Sequence, residues 1–231
     1  MTPLVLIPGF MLDHDIWRDI EIELSDVGPM FHPEVYGEGS IFEMAKKILE
    51  IAPPEFHLVG FSMGGFVARE VYRIEKQRVK SLVLIATSAR GDTEERTKVK
   101  QTTLSTLKGF SGVSRSSIKR SLSPKFKDNS SVVERIRAMG LRLGGDVFVK
   151  QLSMLRNGDL DRLGELNCPT LIVAGEFDQL RSLQESQELK TKMPNAELKI
   201  VPAGHMIPIE KPGALVELMK NFYKALYDNT C

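Results

Sequence analysis

Gly60-Phe61-Ser62-Met63-Gly64 flanks a serine with a glycine two positions before it and another two positions after it. The apolar run Phe56 to Val59 precedes it and a segment of helical period follows. A serine hydroxyl attacks a carbonyl carbon only when a base takes its proton and donors receive the negative charge that develops. A strand-turn-helix setting supplies part of this, because the sharp turn lifts the hydroxyl above the strand ends. Such a turn strains the serine backbone and crowds neighbouring chain, so the flanking positions must be small. Gly60 and Gly64 meet that need and Gly65 extends it. The helix expected from Met63 directs backbone N–H groups toward the same point. A glycine-rich turn whose serine only caps a helix has the same residues, so the reading depends on partners elsewhere in the chain.

The base is sought among four histidines. His205 lies in Val201-Pro202-Ala203-Gly204-His205-Met206, after the last expected strand and before the last helix, whereas His57 falls inside a strand and His14 and His32 lie near the N-terminus. Asp178 follows the run Thr170 to Ala174 through Gly175-Glu176-Phe177. Parallel strands end on one side of a sheet, which places this carboxylate at the same edge as Ser62 and His205. Its chemistry would be to hold the histidine tautomer and stabilise the imidazolium. Glu176 is the nearest rival, two residues closer to the strand. Asp178 can also cap a helix expected over Leu180 to Leu189.

The elements that must position these residues are legible as apolar runs at Leu4 to Ile7, Phe56 to Val59, Val79 to Ala86, Thr170 to Ala174 and Glu197 to Val201, with a further strand near Met30 to His32. Segments of helical period alternate with them, at Asp15 to Leu24, Ile41 to Ile51, Met63 to Glu75 and Ala214 to Tyr227. This alternation predicts an α/β fold, a mainly parallel sheet with helices on both faces. Residues 90–166 are helical in pattern and lack an apolar strand, so they are expected to form an inserted helical cap on a core of residues 1–89 and 167–231.

The order serine, acid, histidine, with these local motifs, resembles the α/β-hydrolase superfamily. Leu6-Ile7-Pro8-Gly9-Phe10 is similar to that family's oxyanion loop, with Pro8 where a histidine is more usual. The resemblance implies an oxyanion hole formed by the backbone N–H groups of Phe10 and Met63. It also makes Gly175 to Asp178 the acid loop, and Gly204-His205 with Glu210-Lys211-Pro212 the histidine loop and following helix start. The chain opens at what resembles the family's third strand, which implies a sheet of about six strands. Within the superfamily it is similar to small carboxylesterases, including pimeloyl-carrier-protein methyl esterases, and to lactonases and C–C bond hydrolases that use the same triad. The expected activity is therefore carboxylic ester hydrolysis through Ser62, His205 and Asp178, with lactone or C–C cleavage as alternatives and a non-catalytic binding protein as the alternative of another class. No metal or organic cofactor is expected.

Composition agrees with such a protein. The 231 residues are 42% hydrophobic and 26% charged, with 31 basic and 30 acidic residues, a balance that points neither to nucleic acid nor to an anionic membrane. The opening run is too short and too broken by Pro3 and Pro8 to read as a signal peptide, and no window approaches the roughly 18 apolar residues of a membrane span. Two cysteines, Cys168 and Cys231, give neither a disulfide framework nor metal spacing, and a reducing cytoplasm is expected. Lys98, Lys100, Lys108, Arg115, Lys119, Arg120, Lys125 and Lys127 occur without an intervening acid. This run reads as a solvated cap surface or as a rim that recruits an anionic or carrier-bound ester. Met11, Met154, Leu155 and Met206 are expected to line the substrate pocket. Oligomeric state is left open.

Overall fold

The computed structural model describes residues 1–228; Cys231 lies outside the described residues. In chain order, β1 (Leu4–Ile7), α1 (Arg18–Leu24), β2 (Met30–Phe31), α2 (Ile41–Ile51), β3 (Phe56–Phe61), α3 (Met63–Ile74) and β4 (Val79–Ile85) form the first part. Helices α4 (Glu94–Thr106), α5 (Arg115–Ser121) and α6 (Ser130–Ser153) follow. The chain then returns through β5 (Thr170–Gly175), α7 (Leu183–Lys192), β6 (Ala196–Val201), α8 (Ile207–Glu210) and α9 (Pro212–Asp228). The six strands pair in the order β2-β1-β3-β4-β5-β6, and every pairing is parallel.

Successive strand residues point to opposite faces, and both faces are covered, which is why β1, β3, β4 and β5 read as continuous apolar runs. Leu4, Leu6, Val59, Phe61, Val83, Ile85, Leu171 and Val173 pack with residues of α1, α9 and the segment from Ile118 to Met139. Val5, Ile7, Leu58, Leu82, Leu84 and Ile172 pack on the other face with α2, α3 and Leu189 of α7. Each such buried Leu, Ile or Val side chain contributes roughly 1.5–3 kcal/mol over its exposed state.

Two expected helices start later than their sequence pattern indicates. Residues His14–Trp17 form a 3-10 turn before α1, with Asp13 accepting a hydrogen bond from the N–H of Asp15. Helix α7 begins at Leu183, not Leu180, and its cap is Ser182 in a reciprocal capping box with Glu185. Asp178 is therefore not the cap of this helix. Helix α6 breaks at Gly144, whose φ of 82° lies in the left-handed region. No helix among the described residues is long and apolar enough to cross a membrane.

Candidate active site

The β3–α3 turn puts Ser62 at φ 52° and ψ −110°, a conformation costly for a residue with a side chain. The surroundings hold it there. Its N–H donates to the Ile85 carbonyl at 2.9 Å, and its own carbonyl accepts from the Thr87 hydroxyl at 2.7 Å and the Gly65 N–H at 3.1 Å. The glycine requirement is steric. A Cβ at Gly60 would lie 2.5 Å from the Gly64 carbonyl oxygen, and one at Gly64 would lie 2.2 Å from that of Ile7.

His205 follows β6, and its ring lies against Phe61 at 5.2 Å between centroids. Its Nδ1 is 2.7 Å from Asp178 Oδ2 and its Nε2 is 2.9 Å from Ser62 Oγ. A carboxylate can only accept, so in the neutral imidazole Nδ1 carries the proton and Nε2 is free to accept from the serine hydroxyl. The second oxygen of Asp178 accepts from the N–H groups of Leu180 and Arg181 at 2.8 and 3.0 Å. That turn over the carboxylate is what delays α7. Glu176 is exposed, and its N–H is used in joining the acid loop to β6.

The histidine loop is also tied to the helical segment. The His205 N–H donates to the Ser121 carbonyl at 2.8 Å. Glu210 takes the Ser123 N–H on one oxygen, at 2.9 Å, and the Gly204 N–H on the other, at 3.1 Å.

Above Ser62 and His205 opens a cavity of about 930 Å³, within the range of small-molecule sites. Phe10, Met11 and Met206 line it, together with residues of α4, α5 and α6. Two expected pocket residues are elsewhere. Helix α6 ends at Ser153, so Met154 turns inward to the core beside α2 and α3, while Leu155 is 65% exposed. Neither lines the cavity. Met63 is buried at the start of α3 and is not among the residues that line the cavity.

Sequence reasoning missed Phe148, Gln151, Arg156 and Arg181. Phe148 packs on Phe10 at 5.9 Å and stacks on Phe110 at 4.9 Å. Gln151 is fully buried and accepts the Met11 N–H at 2.8 Å. The long basic run is partly neutralised: Lys100 pairs with Asp92, Arg115 with Glu134 and Lys119 with Asp128.

A second histidine–serine contact serves packing instead. His57 Nδ1 is 2.7 Å from Ser81 Oγ, and burial depresses the His57 pKa to about 4. Both residues are buried in the sheet and neither reaches the cavity. Cys168 is likewise enclosed, its thiol pushed up to about 12 by burial.

Residues 33–212 match the α/β hydrolase fold family, and the chain belongs to it. It is 26% identical over 242 residues to the pimeloyl-[acyl-carrier protein] methyl ester esterase of Serratia marcescens, covering 96% of this chain and 94% of that protein. It is 28% identical over 251 residues to a Pseudomonas putida protein, the dihydrolipoyllysine-residue acetyltransferase component of an acetoin cleaving system. There it covers 96% of this chain but only 64% of the relative's length. The structure of a thermophilic esterase from Thermogutta terrifontis with malate bound matches with a TM-score of 0.84 at 26% identity, over 98% of this chain and 90% of that one.

Proposed function

We propose that this protein is a serine hydrolase that cleaves carboxylic esters through an acyl-enzyme on Ser62, with His205 as general base and Asp178 as the orienting carboxylate. The observation that carries the reading is the unbroken line Asp178–His205–Ser62, with contacts of 2.7 and 2.9 Å, ending at the floor of the cavity. The esterase names of two of the relatives support it.

In this mechanism the Ser62 hydroxyl gives its proton to His205 Nε2 as Oγ attacks the ester carbonyl carbon. The N–H groups of Phe10 and Met63 receive the oxyanion, the second at the start of a helix whose dipole favours negative charge. The tetrahedral species collapses, the alkoxide leaves with the proton from His205, and the acyl group remains on Ser62. Water, deprotonated by the same histidine, then attacks the acyl carbon and releases the acid. Asp178 stays ionised throughout and stabilises the imidazolium. Residues 90–166 act as a cap that walls the substrate chamber.

The test is hydrolysis of p-nitrophenyl esters of increasing acyl length by the wild type and by Ser62→Ala. An initial burst in the wild type and loss of turnover in the variant are expected; equal turnover in both would end the proposal.

A further inference from the structure

The cavity is far from neutral. Arg96, Lys100, Arg120, Arg156 and Arg181 line it, against only Asp92 and Glu95. One of those carboxylates is already engaged, because Asp92 pairs with Lys100 and accepts the Arg156 backbone N–H at 3.1 Å. Glu95 is exposed at the rim.

Two of the cations are in an unusual position. The Arg181 side chain is only 9% exposed, and its buried Nε has no hydrogen-bond partner among the described residues. Among the described residues its one carboxylate within ion-pair distance is Glu185, at 3.5 Å, whose other oxygen is committed to the N–H and hydroxyl of Ser182; Asp178 and Asp92 act on it only from farther away. Arg156 also buries an unpartnered Nε and has no carboxylate within ion-pair distance among the described residues. Burial, and then the charge of Arg181, pull its pKa down to about 10; Asp92 opposes this at longer range and Arg96 adds to the repulsion. Arg181 thus has one loose counter-charge and Arg156 has none within ion-pair distance among the described residues; a buried guanidinium so poorly compensated is expensive, and clustering like charges adds to the cost. Packing gives no reason to keep two of them beside one chamber.

We infer that Arg156 and Arg181, with Arg96 at the open side, form an anion subsite that takes a carboxylate or phosphate carried by the substrate, away from the carbonyl presented to Ser62. The inference rests on the esterase reading for the role of that anion, and on the arginines alone for its binding. Guanidinium forks match the paired oxygens of either group, so the preferred substrates are esters with a second, acidic terminus. Arg181 lies three residues after Asp178 and donates its own N–H to that carboxylate at 3.0 Å. The proposed subsite is thereby fixed to the loop that orients His205, and the spacing between anion and reacting carbonyl is set within one rigid turn.

Binding and turnover are tested separately. Titration calorimetry of Ser62→Ala with glutarate and with inorganic phosphate distinguishes the two anions without requiring catalysis. The double variant Ser62→Ala with Arg156→Gln should bind the preferred anion at least about 10-fold more weakly, the loss expected when a charged hydrogen bond disappears. Arg156→Gln breaks no side-chain hydrogen bond given above, and its melting temperature, read alongside, should hold or rise. Failure of both anions to bind, or binding within twofold of the parent in the double variant, would overturn the subsite even if ester hydrolysis is demonstrated. In an active wild type, kcat/KM for a p-nitrophenyl hemiester ending in carboxylate should exceed that for its neutral isostere, and Arg156→Gln should collapse that ratio toward one. An unchanged ratio would also overturn it.

Discussion

The side chain of Gln151 holds the backbone of Met11: Oε1 accepts the Met11 N–H at 2.8 Å across 140 positions of sequence, in a fully buried contact. Met11 sits at φ 54°, directly after Phe10, whose own N–H is proposed to receive the oxyanion. The amide thus fixes a strained turn from above, and Gln151 Nε2 completes the link by donating to the Tyr36 carbonyl at 3.2 Å.

Gln151→Leu should therefore lower kcat by about 10- to 100-fold with little change in KM, because displacement of one oxyanion donor is felt mainly in the transition state. Steady-state kinetics on one p-nitrophenyl ester decide this. A rise in KM with constant kcat would show that Gln151 shapes ground-state binding instead.

Asp178→Asn should keep the fold and lower kcat by about 10⁴-fold, since an amide can donate to His205 Nδ1 and favour the wrong tautomer. Glu176→Gln, on an exposed side chain at the start of the same loop, should leave the rate within twofold. If the two variants exchanged these effects, the acid would have been misassigned.

Stability should carry the signature of His57. Its folded pKa of about 4 lies below the ordinary histidine value of 6.5 because burial disfavours the cation. The unfolded chain therefore takes up a proton first as pH falls. Stability is undiminished by this group above pH 6.5 and falls as pH drops toward 4, where the loss amounts to about 3 kcal/mol. Urea unfolding from pH 7.5 to 4 should show this decline in the wild type and a shallower one in His57→Gln. Parallel curves would contradict it.

Asp159 joins the return path to α3. Arg69, fully buried, donates to its two oxygens at 2.8 Å each, and Arg73 adds a third contact at 2.5 Å. Burial alone would raise the Asp159 pKa, but the two arginines outweigh it and hold the carboxyl below its ordinary value. Asp159→Asn should cost about 3–5 kcal/mol, the penalty for stranding a buried guanidinium. The urea midpoint should fall without a change in slope.

The sheet was readable from sequence because strands covered on both faces leave uninterrupted apolar runs, and the tight β3–α3 turn at Ser62 because crowding at Gly60 and Gly64 is a local constraint. Asp178 and His205 could be chosen because parallel strands end on one side. No such rule reaches Gln151, Arg156 or Arg181, whose significance depends on contacts with distant residues and on which wall of a chamber they face. Met154 and Leu155 were misplaced for the same reason. Where α6 stops decides whether a side chain turns into the core or out to solvent, and apolar character alone does not reveal it.

Glu210 spans the join between the histidine loop and the helical segment, with one oxygen on Gly204 and the other on Ser123. Together with the Ser121 carbonyl on the His205 N–H, it makes part of the segment structurally inseparable from His205. For anyone building chimeras in this family, the seam between exchangeable and fixed sequence does not fall at residues 90 and 166. A graft cut there would carry away the amide and carbonyl from which the histidine hangs, so a donor segment must either bring its own equivalents or leave residues 121–123 with the recipient.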